Sequence, residues 1–214
     1  MRSRSLFSMA LLALALAGSA AAAPIHWGPR VGVNASAFTG GAADIIRPDV
    51  RWFPNLGLVL QVDLARNLAF RAEAAYSVKG GGTESEWTDA SGNPIGTFKD
   101  TWRFEYIEVP VLIRARMPLA TGPTPYLEVG PSIAFAIGAE FESEASGVQP
   151  SNLRDELKDV DAGFSGGLGV ELPAGRGRAA LEARYTRGFS NILRESTGFS
   201  MINQAWTLAA SWLY

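Results

Sequence analysis

Apolar and polar residues alternate with a period of two along most of the chain, and residues 68–79 show this most clearly. The even-numbered positions there are apolar: Leu68, Phe70, Ala72, Ala74, Tyr76 and Val78. The odd-numbered positions include four polar residues: Arg71, Glu73, Ser77 and Lys79. Because successive side chains of a strand point to opposite faces, this pattern predicts a β-strand with one apolar and one polar face.

The same alternation predicts about eight strands. They cover Arg30–Phe38, Gly57–Leu64, Leu68–Lys79, Trp102–Arg116, Tyr126–Ile137, Asp161–Leu172, Arg178–Phe189 and a last strand that ends at Tyr214. In the fourth, the apolar positions are even-numbered up to Tyr106 and odd-numbered from Val109 onward, so the phase slips near Tyr106 and Ile107. A β-bulge is the simplest cause of such a slip.

The connections between these segments alternate between long and short. Gly80–Asp100 and Ala139–Val160 are long, whereas Ala65–Asn67 and Pro173–Gly177 are short. A short helical turn is predicted within Asn152–Asp159, because Leu153 and Leu157 lie at helical spacing. Alternating links are typical of outer-membrane barrels. The sequence therefore predicts an all-β fold: a closed, antiparallel, up-and-down transmembrane β-barrel of about eight strands with long extracellular loops and short periplasmic turns.

The two faces of the predicted strands differ in charge, and we expect the apolar face to contact lipid. The inward face would then carry an interior charge ladder. Its members are Arg30, Arg71, Glu73, Arg103, Glu128, Glu171, Glu182 and Arg184, with Asp63 on the same face. A barrel of about eight strands is filled by its own side chains, so acids and bases on neighbouring strands are expected to pair. In the alternative, a soluble barrel, these charges would lie on a solvated exterior.

The first 22 residues have the layout of a secretory signal peptide. Arg2 and Arg4 precede an apolar run, which is followed by small residues up to Ala23. The alternative, a retained anchor helix, needs roughly 20 apolar residues, and this run is shorter. We therefore predict a cleaved signal peptide over residues 1–22, a barrel domain over 23–214 and export to the cell outer membrane.

Composition narrows the class of protein further. The chain has no cysteine, which excludes disulfides, thiolate metal sites and a lipoprotein's acylated cysteine. Its net charge is −2, with acidic and basic residues interspersed, so we expect no nucleic-acid partner. Hydrophobic content reaches 47%, yet after the leader no apolar run is long enough for a membrane helix. A membrane span must therefore be made of strands.

Three features that could indicate enzymatic or metal chemistry favour simpler interpretations. Residues 163–167 match the G-x-S-x-G pattern of hydrolases, but no helical pattern follows Ser165. The only histidine, His26, stands beside the predicted new N-terminus. Acidic groups in the long loops lack the spacing of a dedicated calcium loop. We therefore predict no enzymatic activity, no cofactor and no metal.

The chain resembles the PorT-like outer-membrane β-barrel family over nearly all of its mature length. The resemblance is carried by Gly32-Val33-Asn34, Glu73-Ala74-Ala75-Tyr76, Lys79-Gly80, Tyr106-Ile107-Glu108-Val109-Pro110-Val111, Pro125-Tyr126-Leu127-Glu128-Val129-Gly130-Pro131 and Glu182-Ala183-Arg184-Tyr185. These motifs imply a fold and a location rather than an activity, and the resemblance links some relatives to protein secretion.

Two classes of function remain open for such a barrel. In the first, the barrel has a structural or binding role through its long outer loops, linked to protein secretion or envelope organisation, and is not an open pore. The alternative is a small-solute channel, with a lipid-modifying enzyme a more distant third. The expected partners are outer-membrane lipid, an extracellular or envelope protein, and the barrel-assembly machinery through the C-terminal aromatic Tyr214.

Overall fold

The computed structural model describes residues 23–88, 90–144, 149–194 and 200–214, in which the chain forms a closed β-barrel. In chain order its elements are β1 Ile25–Thr39, α1 Gly41–Ile46, β2 Arg51–Ala65, β3 Leu68–Thr88, β4 Pro94–Arg116, β5 Thr124–Ser143, β6 Ser151–Asn152, a 3-10 turn Arg154–Glu156, β7 Val160–Ala174, β8 Gly177–Gly188 and β9 Ile202–Leu213. No helix in these ranges is long and apolar enough to cross a membrane. The predicted signal peptide lies outside the described residues.

Eight long strands of the described ranges make the barrel wall, and each pairs antiparallel with two neighbours. The order around the wall is β1, β2, β3, β4, β5, β7, β8 and β9. The circle closes because β1 pairs with β9, from Arg30 opposite Ser211 to Thr39 opposite Ile202. The predicted closed up-and-down barrel of eight strands is confirmed.

The two ends of the barrel differ in their connections. At one end, which we call the turn end, β2 joins β3 through Arg66–Asn67 and β7 joins β8 through Gly175–Arg176. Gly175 has a φ of +58°, the left-handed conformation that such tight hairpin turns require. At the other end, the loop end, the links span residues 40–50, 144–159 and 189–201. The predicted helical turn is present there as the 3-10 turn.

The prediction of a long loop over Gly80–Asp100 is wrong for most of its length. β3 and β4 continue as a hairpin up to Thr88 and Pro94, beyond the last pair of β3 with β2 at Ser77. Glu84 lies opposite Lys99 in this hairpin, with 3.6 Å between carboxylate oxygen and ammonium nitrogen. Cross-strand pairing thus orders a segment whose glycines and acidic residues are typical of loops.

The predicted phase slip in the fourth strand is also misplaced. The β4–β5 pairing is irregular at Glu105 and Tyr106, but the even-numbered residues of β4 face the interior both before and after this point. The extra residue is Ile137 of β5, and the buried side of β5 changes from Ala136 to Ala139 across it. A β-bulge is present, but it belongs to the partner strand.

Candidate functional site

A network of four arginines and four glutamates fills the middle of the barrel. All eight side chains are buried: Arg30, Arg71, Arg114, Arg184, Glu73, Glu128, Glu171 and Glu182. Their formal charges cancel. Burial of so many ionised groups is tolerated only when each is paired and hydrogen-bonded, and the alternation of the strands aims them at one another.

Arg184 of β8 forms the centre of the network. Its Nη1 and Nη2 each donate to one carboxylate oxygen of Glu73 at 2.7 Å, which is the two-pronged geometry that guanidinium groups favour. The same side chain donates to Glu128 through Nε at 3.0 Å. Arg184 therefore ties β8 to β3 and β5 across the barrel interior.

Arg114 of β4 is fully buried and makes a second centre. Its Nη2 donates to Glu128 at 2.6 Å and its Nη1 donates to Glu171 at 2.8 Å. The guanidinium carbon lies 3.6 Å from the ring centroid of Tyr126, within the range of a cation–π contact. Tyr126 fits because Gly169 faces it: a Cβ at Gly169 would lie 2.4 Å from the tyrosine Cζ.

Arg30 and Arg71 complete the network from the side of β1 and β3. Arg30 donates to Glu182 through Nη2 at 2.7 Å and also to Asn55. Arg71 donates to the other oxygen of Glu182 at 3.1 Å. Both arginines also form ion pairs with Glu73 of β3, so each is shared between carboxylates of β3 and β8 and the network crosslinks the wall in many directions.

Further ion pairs extend from the network toward both ends. At the turn end, Arg116 donates to Asp63 at 2.6 Å, and Arg178 donates to the other Asp63 oxygen at 3.0 Å. Toward the loop end, Lys79 donates to Glu108 at 2.9 Å. Charged side chains therefore line the interior over most of its length.

Little space remains between the side chains of the network. A cavity bounded by Arg30, Glu73 and Arg184 has a volume of about 10 Å³. A space of that size holds about one water molecule. The middle of the barrel is thus a plug, while a cavity of about 500 Å³ opens at the turn end between Asp63, Arg116 and their neighbours.

The structure brings together seven of the eight residues predicted for the charge ladder: Arg30, Arg71, Glu73, Glu128, Glu171, Glu182 and Arg184. The prediction for Arg103 is wrong. Its side chain is 39% exposed and pairs with Glu105 at 3.1 Å on the other face of β4. The cause is the misplaced phase slip, because unbroken alternation puts Arg103 on the face opposite to Arg114.

Sequence reasoning missed several interior charges, namely Lys79, Glu108, Arg114 and Arg116. The signal was available in β4. The alternation places Val109, Val111 and Ile113 on the lipid face, so the intervening even-numbered residues must face inward. The interior positions of Glu108, Arg114 and Arg116 follow from the same alternation.

An apolar cluster closes the barrel at the loop end. Its buried members are Phe38, Phe104, Tyr106, Ala134, Ala136, Ala139, Leu157, Ile192 and Met201. Leu157 and Ile192 come from the two loop-end links 144–159 and 189–201, and each is at most 2% exposed. The described parts of these loops therefore fold into the mouth of the barrel instead of extending away from it.

A third cavity lies within this mouth and has a volume of about 360 Å³. Its lining comes from α1, β4 and the two loops: Ile45, Ile46, Trp102, Phe104, Leu153, Glu156, Leu157, Leu193 and Met201. All of these side chains except Glu156 are apolar. The sequence pattern does not predict this cavity, because its walls are brought together only by the folding of loops.

A clasp of three charged side chains joins the two loops beside the cavity. Asp159 accepts hydrogen bonds from Arg154 at 2.7 Å and from Arg194 at 3.1 Å. The hydrogen bond from Arg154, followed by the charge of Arg194, lowers the pKa of Asp159. Backbone bonds reinforce the clasp, since Lys158 N donates to Ile192 O at 2.8 Å.

Ser165 and His26, the residues considered for catalysis, lie in different parts of the barrel. Ser165 is buried within β7, where its Oγ shares a hydrogen bond of 2.8 Å with Thr186. His26 lies at the turn end, 3.4 Å from a carboxylate oxygen of Asp63. Among the described residues, no group of three or more histidine or acidic side chains is placed to hold a metal ion.

Comparisons with known proteins bear on the family and the fold. A sequence profile for the outer membrane protein beta-barrel domain matches residues 17–194. No curated protein matches the chain significantly.

Similar solved structures include Ail, the attachment invasion locus protein of Yersinia pestis, with 11% identity and a TM-score of 0.44 over 88% of this chain and 98% of Ail. Neisserial surface protein A shows 8% identity and a TM-score of 0.46 over 87% of this chain and 94% of its own. The Escherichia coli outer membrane protease OmpT shows 11% identity and a TM-score of 0.31 over 90% of this chain and 95% of OmpT. Likenesses this low carry no information about function.

Proposed function

This chain belongs to the outer membrane protein beta-barrel domain family, and from that premise we propose that it is a non-conducting binding barrel of the outer membrane. Its loop end contacts a ligand, an envelope polymer or a protein partner. The observation that carries the proposal is the balanced network around Arg114 and Arg184, which occupies the barrel interior.

The physical basis of this proposal is the width of an eight-strand barrel, whose interior is just large enough for side chains. An ion that crosses the network would have to displace guanidinium groups that each hold two or more carboxylates. Breaking buried ion pairs of this kind costs several kcal/mol, so the resting barrel is expected to stay closed.

We further propose that the chain is PorT-like, that it acts in protein secretion or envelope organisation, and that the barrel-assembly machinery inserts it through Tyr214. Tyr214 is 61% exposed and its backbone N–H donates to Trp27 at 2.9 Å, so its ring is accessible beside the closing seam. Crosslinking from the long loops in the native envelope would identify the partner.

We also propose that the barrel is not an enzyme. Ser165 has Thr186 as its hydrogen-bond partner rather than a histidine, and His26 is held at the turn end by Asp63 and the Tyr214 carbonyl. A serine nucleophile needs a base within hydrogen-bond reach, and His26 is not placed to serve Ser165 in this way.

Planar-bilayer conductance tests the proposed function. The refolded protein, checked for heat-modifiable gel migration, is expected to give no stable single-channel steps, as with a protein-free bilayer. The same preparation unfolded by heat serves as the control for non-specific leakage. Reproducible steps from the folded protein would contradict the proposal and favour the small-solute channel.

A further inference from the structure

The apolar cavity at the loop end has the properties of a small-molecule site. We propose that it binds one uncharged hydrocarbon chain, from either a membrane lipid or a free apolar solute. The inference deepens the proposed function, on which it rests, by naming the class of ligand. No member of the interior ion-pair network lines this cavity.

Size and lining support a hydrocarbon ligand. Ligand pockets range from about 300 to 1,000 Å³, and this cavity of about 360 Å³ lies at the lower end of that range. It is too small for a folded partner. Because eight of the nine described lining side chains are apolar, water in this pocket gains few hydrogen bonds from its walls, and an apolar molecule can displace it.

The charge of the cavity lining narrows the class of ligand further. Glu156 is the one charged side chain in the described lining, and the nearby Arg154 and Arg194 are paired with Asp159. A carboxylate on the ligand would be repelled at this point, whereas a hydroxyl group could donate a hydrogen bond to Glu156. The site therefore favours an alcohol or another uncharged head over a fatty acid anion.

The walls of the cavity are held in place by contacts that need no ligand. Arg194 N donates to Glu156 O at 2.7 Å, and Leu157 forms a β-bridge with Leu193, so the two loops are joined along the cavity. On the barrel side, Trp102 packs against Phe38 and Phe141 with ring centroids 5.8 and 5.1 Å away. A site that is already formed loses little conformational entropy on binding.

Trp102 provides a reporter for the experiment, since bromine atoms quench tryptophan fluorescence at contact. The full barrel is placed in lipid nanodiscs and titrated with 12-bromododecanol. Trp27, Trp52 and Trp206 are exposed on the outer wall and are quenched from the lipid phase. The difference between wild type and Trp102→Phe therefore isolates the cavity signal, which is expected to saturate.

A second arm of the experiment distinguishes the two possible sources of the hydrocarbon chain. Nanodiscs made with acyl-brominated phospholipid, without added alcohol, quench Trp102 if a membrane lipid enters the cavity. Quenching of Trp102 only after addition of the alcohol identifies a free solute. Absence of a Trp102-specific signal in both arms would overturn the inference.

Filling the cavity provides the matched variants. Leu193→Phe is expected to raise the alcohol concentration at half-saturation by at least about tenfold. Ile46→Phe is a second filling variant if the first does not fold. The control is Leu127→Phe, a similar change on the lipid face, which should leave the titration unchanged. Unchanged binding in a folded filling variant would contradict the site. A barrel that conducts ions yet keeps the Trp102 signal would refute only its non-conducting role.

Discussion

Replacement of Arg114 by methionine tests whether the interior network stabilises the barrel through its charges. Methionine keeps an unbranched side chain in the same space but has no donors. Glu128 then loses two hydrogen bonds, of 2.6 and 3.0 Å, and Glu171 loses one of 2.8 Å. The four glutamates of the network would face three arginines.

The expected loss of stability follows from what each carboxylate keeps. Removing one partner of a buried pair costs about 3–5 kcal/mol. Glu128 retains Arg184, and Glu171 retains Arg116 at 3.0 Å, so neither is left without a cation. We therefore expect the low end, about 3 kcal/mol. Adding Glu128→Gln restores neutrality and should return about 1 kcal/mol.

The assay is reversible urea unfolding in lipid vesicles, followed by heat-modifiable gel migration. Arg187→Met is the matched control, because Arg187 is exposed on the outer side of the same barrel and should change stability by less than about 0.5 kcal/mol. Equal stability of Arg114→Met and Arg187→Met would refute the reasoning. So would a charge-balanced double variant that is less stable than the single one by the full cost of a second broken pair.

Two further predictions concern packing and pH. Gly169→Ala should destabilise the barrel by about 1–3 kcal/mol in the same assay, since its Cβ would lie 2.3 Å from a backbone oxygen and 2.4 Å from Tyr126. A Cβ at Gly166 would meet nothing within 4 Å, so Gly166→Ala should be neutral. Equal effects of the two substitutions would contradict this packing. Asp159→Asn should speed hydrogen exchange in the loop-end links at pH 7, with Asp155→Asn as the control. Because the Asp159 pKa is lowered, the clasp is complete above the ordinary pKa near 4 and is lost as pH falls through the lowered pKa. Wild-type hydrogen exchange, corrected for its intrinsic pH dependence, should therefore rise only as pH falls through that lowered pKa.

Alternation predicted the wall of the barrel because each wall strand has one lipid face and one interior face. In β3, the pattern places the even-numbered residues from Leu68 to Val78 on the apolar face and the odd-numbered ones on the polar face. Arg71 and Glu73 then had to point into a space where other charges could meet them, and they do. Local periodicity is sufficient to assign the lipid and interior faces wherever a strand is regular.

The failures arise where periodicity is interpreted on one strand alone. The alternation along β4 predicts that Trp102, Phe104 and Tyr106 face lipid, whereas they lie on the interior face toward the loop end, where the lining is apolar. That change of interior character from charged to apolar looks like a phase slip in the sequence. The actual slip, at Ile137, is visible only in the register between strands.

The apolar cavity could not be predicted because it depends on long-range contacts between loops. Leu157 and Ile192 lie in segments without sustained alternation, and their burial is set by the barrel mouth that receives them. Their hydrophobicity was visible in the sequence, but the partner surface was not.

The closing contact between β1 and β9 is the most direct test of the account. The chain has no native cysteine, so Val33→Cys with Leu208→Cys places one thiol on each strand, directly opposite on the lipid face. Opposed residues of an antiparallel pair are about 4.5–5.5 Å apart at Cα, which suits a disulfide. Val33→Cys with Leu168→Cys is the control, because β8 and β9 separate those strands. Oxidation in membranes should crosslink the first pair and not the second; failure of the first pair, or crosslinking of the second, would contradict a closed eight-strand barrel.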